Sequence, residues 1–345
     1  MSAFAGGAGT RDLRALPKAH LHLHFTGSMR PSTLRELAAE RRLRLPSALT
    51  SGEALRVEPS ARGWFRFQRF YDTARRVVDS EQVMRRLLRE AAMDDVIEGS
   101  VRLELQIDPT SYAPFVGGLT PALEIILDEA AAIEQDLGIS LGIIVAASRM
   151  RHPLDARTLA RLAVKYAGPV VGFGLSNDER RGDTAEFAAA FRIARAGGLA
   201  GVPHGGELLG PTHISEVLAH LSPARLGHGV RSAEDPRLLE RLVDSGVALE
   251  VCPGSNVSLG VYANESSVPL RTLMKAGAEI ALSADDPLLF GSRLLDQYET
   301  ARASGFTDKE LAHLAASSIR ASLMSEELKQ THLAGVRTWL DAPAA

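Results

Sequence analysis

The feature that most constrains the fold of this chain is an alternation of short apolar runs with amphipathic stretches. Eight apolar runs have the composition of buried strands, and they cover residues 19–25, 101–107, 141–147, 170–174, 198–204, 224–230, 247–253 and 278–284. Between them, stretches such as 156–167 and 235–246 repeat apolar residues every three or four positions, as amphipathic helices do. Strands that alternate with helices indicate parallel βαβ units. Eight such units predict an α/β fold, a (β/α)8 TIM barrel.

The first interval between strands, residues 26–100, is longer than one connecting helix requires. Its apolar pattern predicts several helices, at about 31–42, 65–78 and 80–99. In a barrel, extra helices inserted after strand 1 lie on the face that carries active sites. A doubly wound open sheet is the alternative fold, and the polar residues at the ends of the strands favour the barrel.

Composition limits the class of protein and the compartment. The 345 residues carry a formal net charge of −3, which gives no basic surface for nucleic acid. No apolar run approaches the length of a membrane-spanning helix, and the first residues lack a secretory signal pattern. The single cysteine excludes an internal disulfide and indicates a reducing, cytoplasmic location. Without a linker, we expect one domain over residues 1–345, with residues 1–13 disordered and the last five a loose end.

Histidines and carboxylates lie at the ends of the predicted strands. His22 and His24 are two residues apart, so on a strand they point to the same face and form half of a metal site. His204 ends strand 5, and one of Asp285 and Asp286 can add a carboxylate from the end of strand 8. Two or three histidines with one carboxylate suit Zn²⁺. Strand 4 offers no lysine to bridge two metals, so we expect a single ion.

Two further strand-end residues have the chemistry to assist a metal. Glu207 follows His204 by three residues in the sequence HGGE, and His228 lies in LGHG. A metal lowers the pKa of its bound water to about 7, and a nearby carboxyl of raised pKa can then shuttle a proton. His228 can hold the water or stabilise a developing oxyanion.

Other patterns are less specific. Trp64, Phe65, Phe67, Phe70 and Tyr71 form an aromatic cluster that is either core or an apolar lid over a flat ligand. The glycines at 172 and 174 do not complete a dinucleotide fingerprint. Cys252, the single cysteine, cannot complete the cysteine-ligated zinc signature H-x-E with P-C-x-x-C and is expected to be a small buried residue. The remaining histidines without a pattern are expected on the surface: His152, His213, His220, His313 and His332.

Taken in order, six motifs resemble the adenosine/adenine deaminase family of the amidohydrolase superfamily: LPKAHLHLHFTG, VVGFGLSNDE, PHGGE, RLGHG, EVCPGSN and LSADDPLLFG. The resemblance covers residues 16–335. It implies a barrel with one Zn²⁺, held by His22, His24, His204 and Asp285. It also implies a small-molecule aminopurine as substrate, hydrolysed at C6 to a 6-oxopurine with release of ammonia.

By the same resemblance, Glu207 would protonate the purine N1, His228 would orient the attacking water, and Asp286 would hydrogen-bond N7. The residues expected to bind substrate are Thr26, Asn177, Asp286, Phe67, Phe70 and Gly174.

Three positions depart from the family's patterns. Adenosine deaminases have an acidic residue where this chain has Thr26, and it holds the ribose; adenine deaminases have Glu there. Adenosine deaminases usually have Gly where this chain has Asn177. His20 replaces a more typical acidic residue, and we interpret it as a buried structural histidine.

Three hypotheses about the function therefore stay open. The first is deamination of an adenosine-type nucleoside, with adenine or 6-aminodeoxyfutalosine as alternative substrates; the last has an aryl group in place of the 5′-hydroxyl, which suits a neutral Thr26. The second is a metal-dependent amidase or lactonase on the same barrel. The third is an inactive relative that serves as a binding protein. The oligomeric state is not indicated by the sequence.

Overall fold

The computed structural model describes residues 11–51 and 53–343 of the chain. Within them, eight parallel strands form one sheet in chain order: β1 (Lys18–His24), β2 (Ser100–Ile107), β3 (Ser140–Ser148), β4 (Val170–Ser176), β5 (Ala200–Gly205), β6 (Arg225–His228), β7 (Ala248–Val251) and β8 (Ile280–Leu282). A bridge between Leu23 and Asp285 joins the end of β8 to β1, so the sheet nearly closes on itself. The prediction of a (β/α)8 TIM barrel is confirmed.

Helices alternate with the strands around the barrel. In the described part of the chain they are α1 (Pro31–Glu40), α2 (Ala61–Arg75), α3 (Glu81–Ile97), α4 (Ala113–Val116), α5 (Leu119–Leu137), α6 (Pro153–Lys165), α7 (Ala188–Ala196), α8 (Pro211–Leu221), α9 (Pro236–Asp244), α10 (Pro253–Ser258), α11 (Leu270–Lys275), α12 (Pro287–Phe290), α13 (Leu294–Ala303), α14 (Asp308–Ala321) and α15 (Glu326–Asp341). Among these helices, none is both long and apolar enough to span a lipid bilayer.

The long interval after β1 contains α1, α2 and α3, which confirms the prediction of extra helices inserted after strand 1. Ser60 and Ser80 cap α2 and α3 by accepting hydrogen bonds from the backbone N–H groups of Gly63 and Val83. These caps begin the helices because each satisfies a donor that the first turn leaves free. The helix α2 lies beside the carboxyl ends of the strands, where it helps to form a cavity.

The barrel interior contains a row of buried ion pairs. The Arg225 guanidinium donates to Glu104 and to Glu250, each at 2.6 Å, and Arg102 donates to Glu104 at 3.0 Å. Although burial opposes its negative charge, Arg225 and Arg102 hold the pKa of Glu104 below its ordinary value. The backbone N–H of Leu323, after α14, also donates to Glu104 at 2.6 Å. The row therefore joins three strands to the segment that closes the amino-terminal end of the barrel.

The expectation that residues 1–13 are disordered is wrong for residues 11–13, the part of that segment that the structure describes. Leu13 is fully buried in the core, and the Trp339 indole donates to the Asp12 carbonyl at 2.8 Å. Arg11 donates to Asp308 and to the Ala342 carbonyl. The Gly/Ala-rich composition on which the expectation rested belongs to residues 1–10, which lie outside the described residues, as do 344 and 345.

We predict that Arg225→Met destabilises the protein by about 3–5 kcal/mol, because it leaves buried Glu104 and Glu250 with one cation fewer. Equilibrium unfolding in urea measures the change. The control is Arg320→Met, which removes a surface ion pair with Glu279 whose side chains are each 40% exposed; its cost should stay under about 1 kcal/mol. Equal effects of the two substitutions would contradict the importance of the buried row.

Candidate active site

Four strands bring the chemically active side chains to the carboxyl end of the barrel. His22 and His24 lie on β1, His204 lies at the end of β5, and His228 is the last residue of β6. Asp285 follows β8. Because neighbouring parallel strands end at the same rim, side chains from distant parts of the sequence converge there. Three of these histidines and Asp285 are buried, and only His24 is partly exposed.

The proposed metal ligands approach one another closely. His24 Nε2 lies 3.1 Å from His204 Nε2 and 3.2 Å from Asp285 Oδ1. His22 Nε2 lies 3.5 Å from the same carboxylate oxygen. Ligand atoms of a tetrahedral zinc ion with bonds of about 2.0–2.2 Å lie roughly 3.3–3.6 Å apart. These three distances and the chemistry of the donors fit a zinc ion, and ligand atoms of His22, His24 and Asp285 all lie within 4.8 Å of one another.

His22 is held from behind by a second carboxylate. Its Nδ1 lies 2.7 Å from Glu250 Oε2, and Glu250 is the same residue that accepts from Arg225 in the interior row. A carboxylate on the far nitrogen fixes the orientation and tautomer of a metal-binding imidazole. Although burial opposes a positive charge on His22, hydrogen bonds to Asp285 and Glu250 raise its pKa to about 10.

The other histidines favour the neutral form that a metal ligand requires. Burial lowers the pKa of His24 and lowers that of His204 well below its ordinary value, with the nearby His22 adding to the effect. Burial also lowers the pKa of His228 to about 3. Among the described residues, Nδ1 of His204 and both ring nitrogens of His228 find no hydrogen-bond partner.

Two carboxyl groups of the site favour their protonated form. Burial, followed by the negative charges of Asp285 and Glu179, raises the pKa of Glu207 well above its ordinary value. Burial and the charge of Asp285 do the same to Asp286. Hydrogen bonds from His22 and His24 have the opposite effect on Asp285, whose pKa stays well below its ordinary value despite burial. The ionised Asp285 therefore suits the role of a metal ligand, and carboxyls that favour the protonated form, Glu207 and Asp286, suit the role of proton donors.

Backbone strain is concentrated at this rim. Asn177, His228 and Asp285 have φ values of 82°, 64° and 65°, in the left-handed region that residues other than glycine seldom adopt. Asn177 and Asp285 follow β4 and β8, and His228 is the last residue of β6. At the same rim, position 27 needs glycine for a steric reason, because a Cβ there would lie 1.7 Å from Asp286 Oδ1. Such strain persists where the surrounding structure holds side chains in a required direction.

A cavity of about 470 Å³ opens above these residues, a volume typical of small-molecule sites. One face of α2 forms its side wall, and the inner end is formed by the strand ends. The residues expected to act in catalysis or substrate binding that line it are Phe67, Asn177, Glu207, His228 and Asp286, together with the ligand candidates His24, His204 and Asp285.

Three residues expected to bind substrate lie elsewhere among the described residues. The Thr26 hydroxyl is hydrogen-bonded at 2.7 Å to the hydroxyl of Tyr112, which takes its place on the cavity wall. Gly174 lies one layer deeper in the barrel, against Gln106 and Ala146. Phe70 is turned away from the wall and packs against the core.

The aromatic cluster was expected to be either core or an apolar lid over a ligand, and its members divide between the core and the cavity wall. Trp64, Phe67 and Tyr71 recur at intervals of three and four residues and face the cavity along with Phe65. Phe70 is one residue before Tyr71, so the helical turn of about 100° moves it off this face. Phe67 also stacks on Phe290 with ring centroids 5.5 Å apart, which ties the wall to the core.

His20 and His213 have different outcomes. His20 is buried, as expected: its Nδ1 contacts Asp95 at 3.0 Å and its Nε2 accepts from the Ala284 N–H. His213 was expected on the surface and is buried, with Nδ1 3.8 Å from Glu179. It lies on the inner face of α8, where a histidine spaced with apolar residues packs like one of them. Cys252 is buried, as expected.

Several residues of the site are not identified from the sequence. Tyr112, Gln106 and Arg75 line the cavity, but they follow no recognisable motif. Glu250 gives one available signal, since it is the lone charged residue within the apolar run of β7. A charge in a strand that is buried on both sides needs a partner.

Comparison with known proteins agrees with this site. A model of the adenosine deaminase family matches residues 17–339. The chain is 59% identical to a Streptomyces virginiae protein named "Putative adenosine/adenine deaminase", over 96% of this chain and 98% of that one. It is 34% identical to an adenine deaminase of Rhizobium leguminosarum, over 92% of this chain and 98% of the relative.

The chain belongs to the adenosine deaminase family. The crystal structure of adenine deaminase from Arthrobacter aurescens superposes with a TM-score of 0.87 at 28% identity, covering 95% of this chain and all of that one. The family membership makes the protein a hydrolase that acts on C–N bonds, within the amidohydrolase superfamily. It removes the reason for considering an inactive binding protein or a lactonase.

We predict that Glu250→Gln weakens metal binding by about 10–100-fold, because the His22 imidazole loses the carboxylate that orients it. Zinc retained after dialysis against graded chelator measures the effect. Glu240→Gln, at an exposed position of α9, is the control and should bind as the unmodified protein does. Equal zinc affinity in the two variants would contradict the role of Glu250.

Proposed function

We propose that the protein catalyses the zinc-dependent hydrolytic deamination of a 6-aminopurine, with adenosine-type nucleosides as its first candidates. The observation that carries the proposal is the convergence of three ligand candidates, His24, His204 and Asp285, with Glu207 and Asp286 in one cavity, where burial raises the pKa of both carboxyls. Water adds its oxygen to C6, the exocyclic amine leaves as ammonia, and the purine becomes a 6-oxopurine.

His22, His24, His204 and Asp285 would hold one zinc ion per chain, since their atoms have the spacing and the chemistry for it. When bound, zinc would supply Lewis acidity and lower the pKa of a water molecule to about 7. The low pKa values of His24 and His204 keep these imidazoles available as ligands near neutral pH.

Glu207 and Asp286 would act on the purine ring. A protonated Glu207 would donate its proton to N1, which makes C6 more electrophilic towards water. A protonated Asp286 would donate a hydrogen bond to N7, an acceptor. His228 Nε2 lies 3.5 Å from Glu207 Oε1 and would hold the attacking water between the metal site and the ring.

The size of the cavity favours a substrate larger than adenine. Besides the strand ends, its lining includes Trp64 and Tyr71 and the exposed side chains of Phe65 and Met150. Aromatic side chains suit the flat purine, and the volume leaves room for a substituent on N9. Adenine remains an alternative substrate because of the identity to adenine deaminases.

A second candidate is 6-aminodeoxyfutalosine, whose tail is anionic. Thr26 offers no carboxylate, and its hydroxyl is engaged with Tyr112. Arg75, Arg151 and Arg181 all line the cavity, although Arg75 and Arg151 each contact an aspartate. An apolar opening with arginines beside it favours an aryl group that carries a carboxylate. A cytoplasmic location stays a prediction.

Ammonia release from adenosine, 2′-deoxyadenosine, adenine and 6-aminodeoxyfutalosine, ranked by kcat/KM, tests the proposal. We expect the substrates with an N9 substituent to exceed adenine, because the cavity of about 470 Å³ has room for a substituent that adenine lacks. A preference for 6-aminodeoxyfutalosine over adenosine would favour the second candidate. Turnover of none of the four by zinc-loaded protein would contradict the proposed function.

We also predict that Glu207→Gln lowers kcat by about 10²–10⁴-fold while zinc content is unchanged, because the amide occupies the same space but cannot donate the acid proton. Steady-state kinetics and metal analysis on the same preparation measure both quantities. Glu240→Gln serves as the control. A kcat equal to that of the unmodified enzyme would rule out Glu207 as the acid.

A further inference from the structure

Glu179 lies outside the cavity, yet it contacts the backbone that carries Glu207. It follows β4 by three residues and is 2% exposed. Its Oε1 accepts a hydrogen bond from the N–H of Glu207 at 3.1 Å, and its Oε2 accepts from Leu208 at 2.8 Å and Leu209 at 2.7 Å. One buried carboxylate therefore satisfies three consecutive N–H groups.

Three consecutive N–H groups that converge on an anion form a cradle whose geometry is more restricted than that of a single bond. The carboxylate contributes charge-assisted hydrogen bonds, which are stronger than those between neutral groups. Removal of the charge would leave the buried N–H of Glu207 and the N–H groups of half-buried Leu208 and Leu209 without an equivalent acceptor.

The segment that Glu179 holds follows a pair of glycines, Gly205 and Gly206, and Gly206 has a φ of 81°. One further contact on this segment comes from Arg231, which donates to the Leu208 carbonyl at 2.6 Å. Glycines restrict the backbone least, so the position of Glu207 depends on contacts that follow them. From the other side, Arg149 donates to the His204 carbonyl at 2.9 Å. Glu179 and Arg149 together fix the chain on both sides of the glycine pair.

We propose that Glu179 is a positioning residue for deamination, which holds residues 207–209 so that the Glu207 carboxyl reaches the substrate ring. This inference rests on the proposed function, in which Glu207 is the acid. Glu179 itself contacts neither substrate nor metal ligand side chains. Its action passes through the backbone of the neighbouring strand end.

The principal test is a double-mutant cycle with Glu179→Gln and Glu207→Gln in the zinc-loaded enzyme. Glu179→Gln alone should lower kcat by about 10–100-fold with little change in KM, because a displacement near 1 Å of a catalytic group costs about that much. In the Glu207→Gln background the same change should lower kcat by less than about threefold, since residues that act as a unit are not additive.

The control is Glu186→Gln, an exposed glutamate on the same connection, which should retain full activity. Multiplicative losses in the cycle would overturn the proposal, because Glu179 would then act independently of Glu207. A rise in KM with kcat unchanged, or zinc loss in proportion to the activity loss, would overturn it too.

Amide hydrogen exchange separates this proposal from the deaminase assignment. The amides of 207–209 should be protected from exchange in the unmodified protein, and Glu179→Gln should accelerate their exchange. Rapid exchange in the unmodified protein would overturn the positioning role of Glu179, whatever the substrate is. If Glu179→Gln does not fold, Glu179→Asp keeps the charge and withdraws the oxygens by one methylene. It should lower kcat with zinc content retained, and an unchanged kcat would overturn the proposal.

Discussion

Two hydrogen bonds join the first strand of the barrel to the segment after the last. The His24 N–H donates to the Asp285 carbonyl, and the Asp285 N–H donates to the His22 carbonyl, both at 3.0 Å. These bonds bring a carboxylate from position 285 beside two imidazoles from positions 22 and 24. If β8 paired one residue out of register, the Asp285 side chain would point to the opposite face. The ligand set therefore depends on how the barrel closes.

Closure of the barrel brings several charged groups together in its interior. The row of buried ion pairs around Arg225 shows how these charges are compensated. Asp285 contacts His22, His22 contacts Glu250, and Glu250 contacts Arg225. Imidazole and guanidinium groups alternate with carboxylates along this path, so each buried carboxylate lies beside a nitrogen that can donate a hydrogen bond to it. The row gives the metal-binding imidazole a fixed orientation and connects it to the amino-terminal end of the barrel. The same contacts thus contribute to stability and to the geometry of the site.

The sequence is sufficient for the architecture and for much of the rim. Apolar runs locate all eight strands to within a few residues, because a strand covered on both faces must be apolar along its length. His22, His24 and His204 are predicted from their places at strand ends, whereas the same pattern leaves Asp285 and Asp286 open and only the family resemblance favours Asp285. Contacts between distant segments do not follow from periodicity: Thr26 pairs with Tyr112 across 86 residues, and Glu179 reaches a backbone about 30 residues away. Helical spacing predicts a face for Phe70 but not which neighbour covers it.

Asn177 shows how a departure from a family pattern can have a backbone cause. The family resemblance leads us to expect Gly at this position, and Asn177 is among the residues expected to bind substrate. In the structure Asn177 has a φ of 82°, and its side-chain oxygen accepts the N–H of Asp178 at 2.8 Å. Gly adopts this region freely, and Asn is among the few other residues that tolerate it. The left-handed turn directs the chain after β4 towards β5, where Glu179 meets the backbone of Glu207. Substitution of Gly by Asn therefore preserves the turn that the Glu207 segment requires, even though Asn177 also lines the cavity.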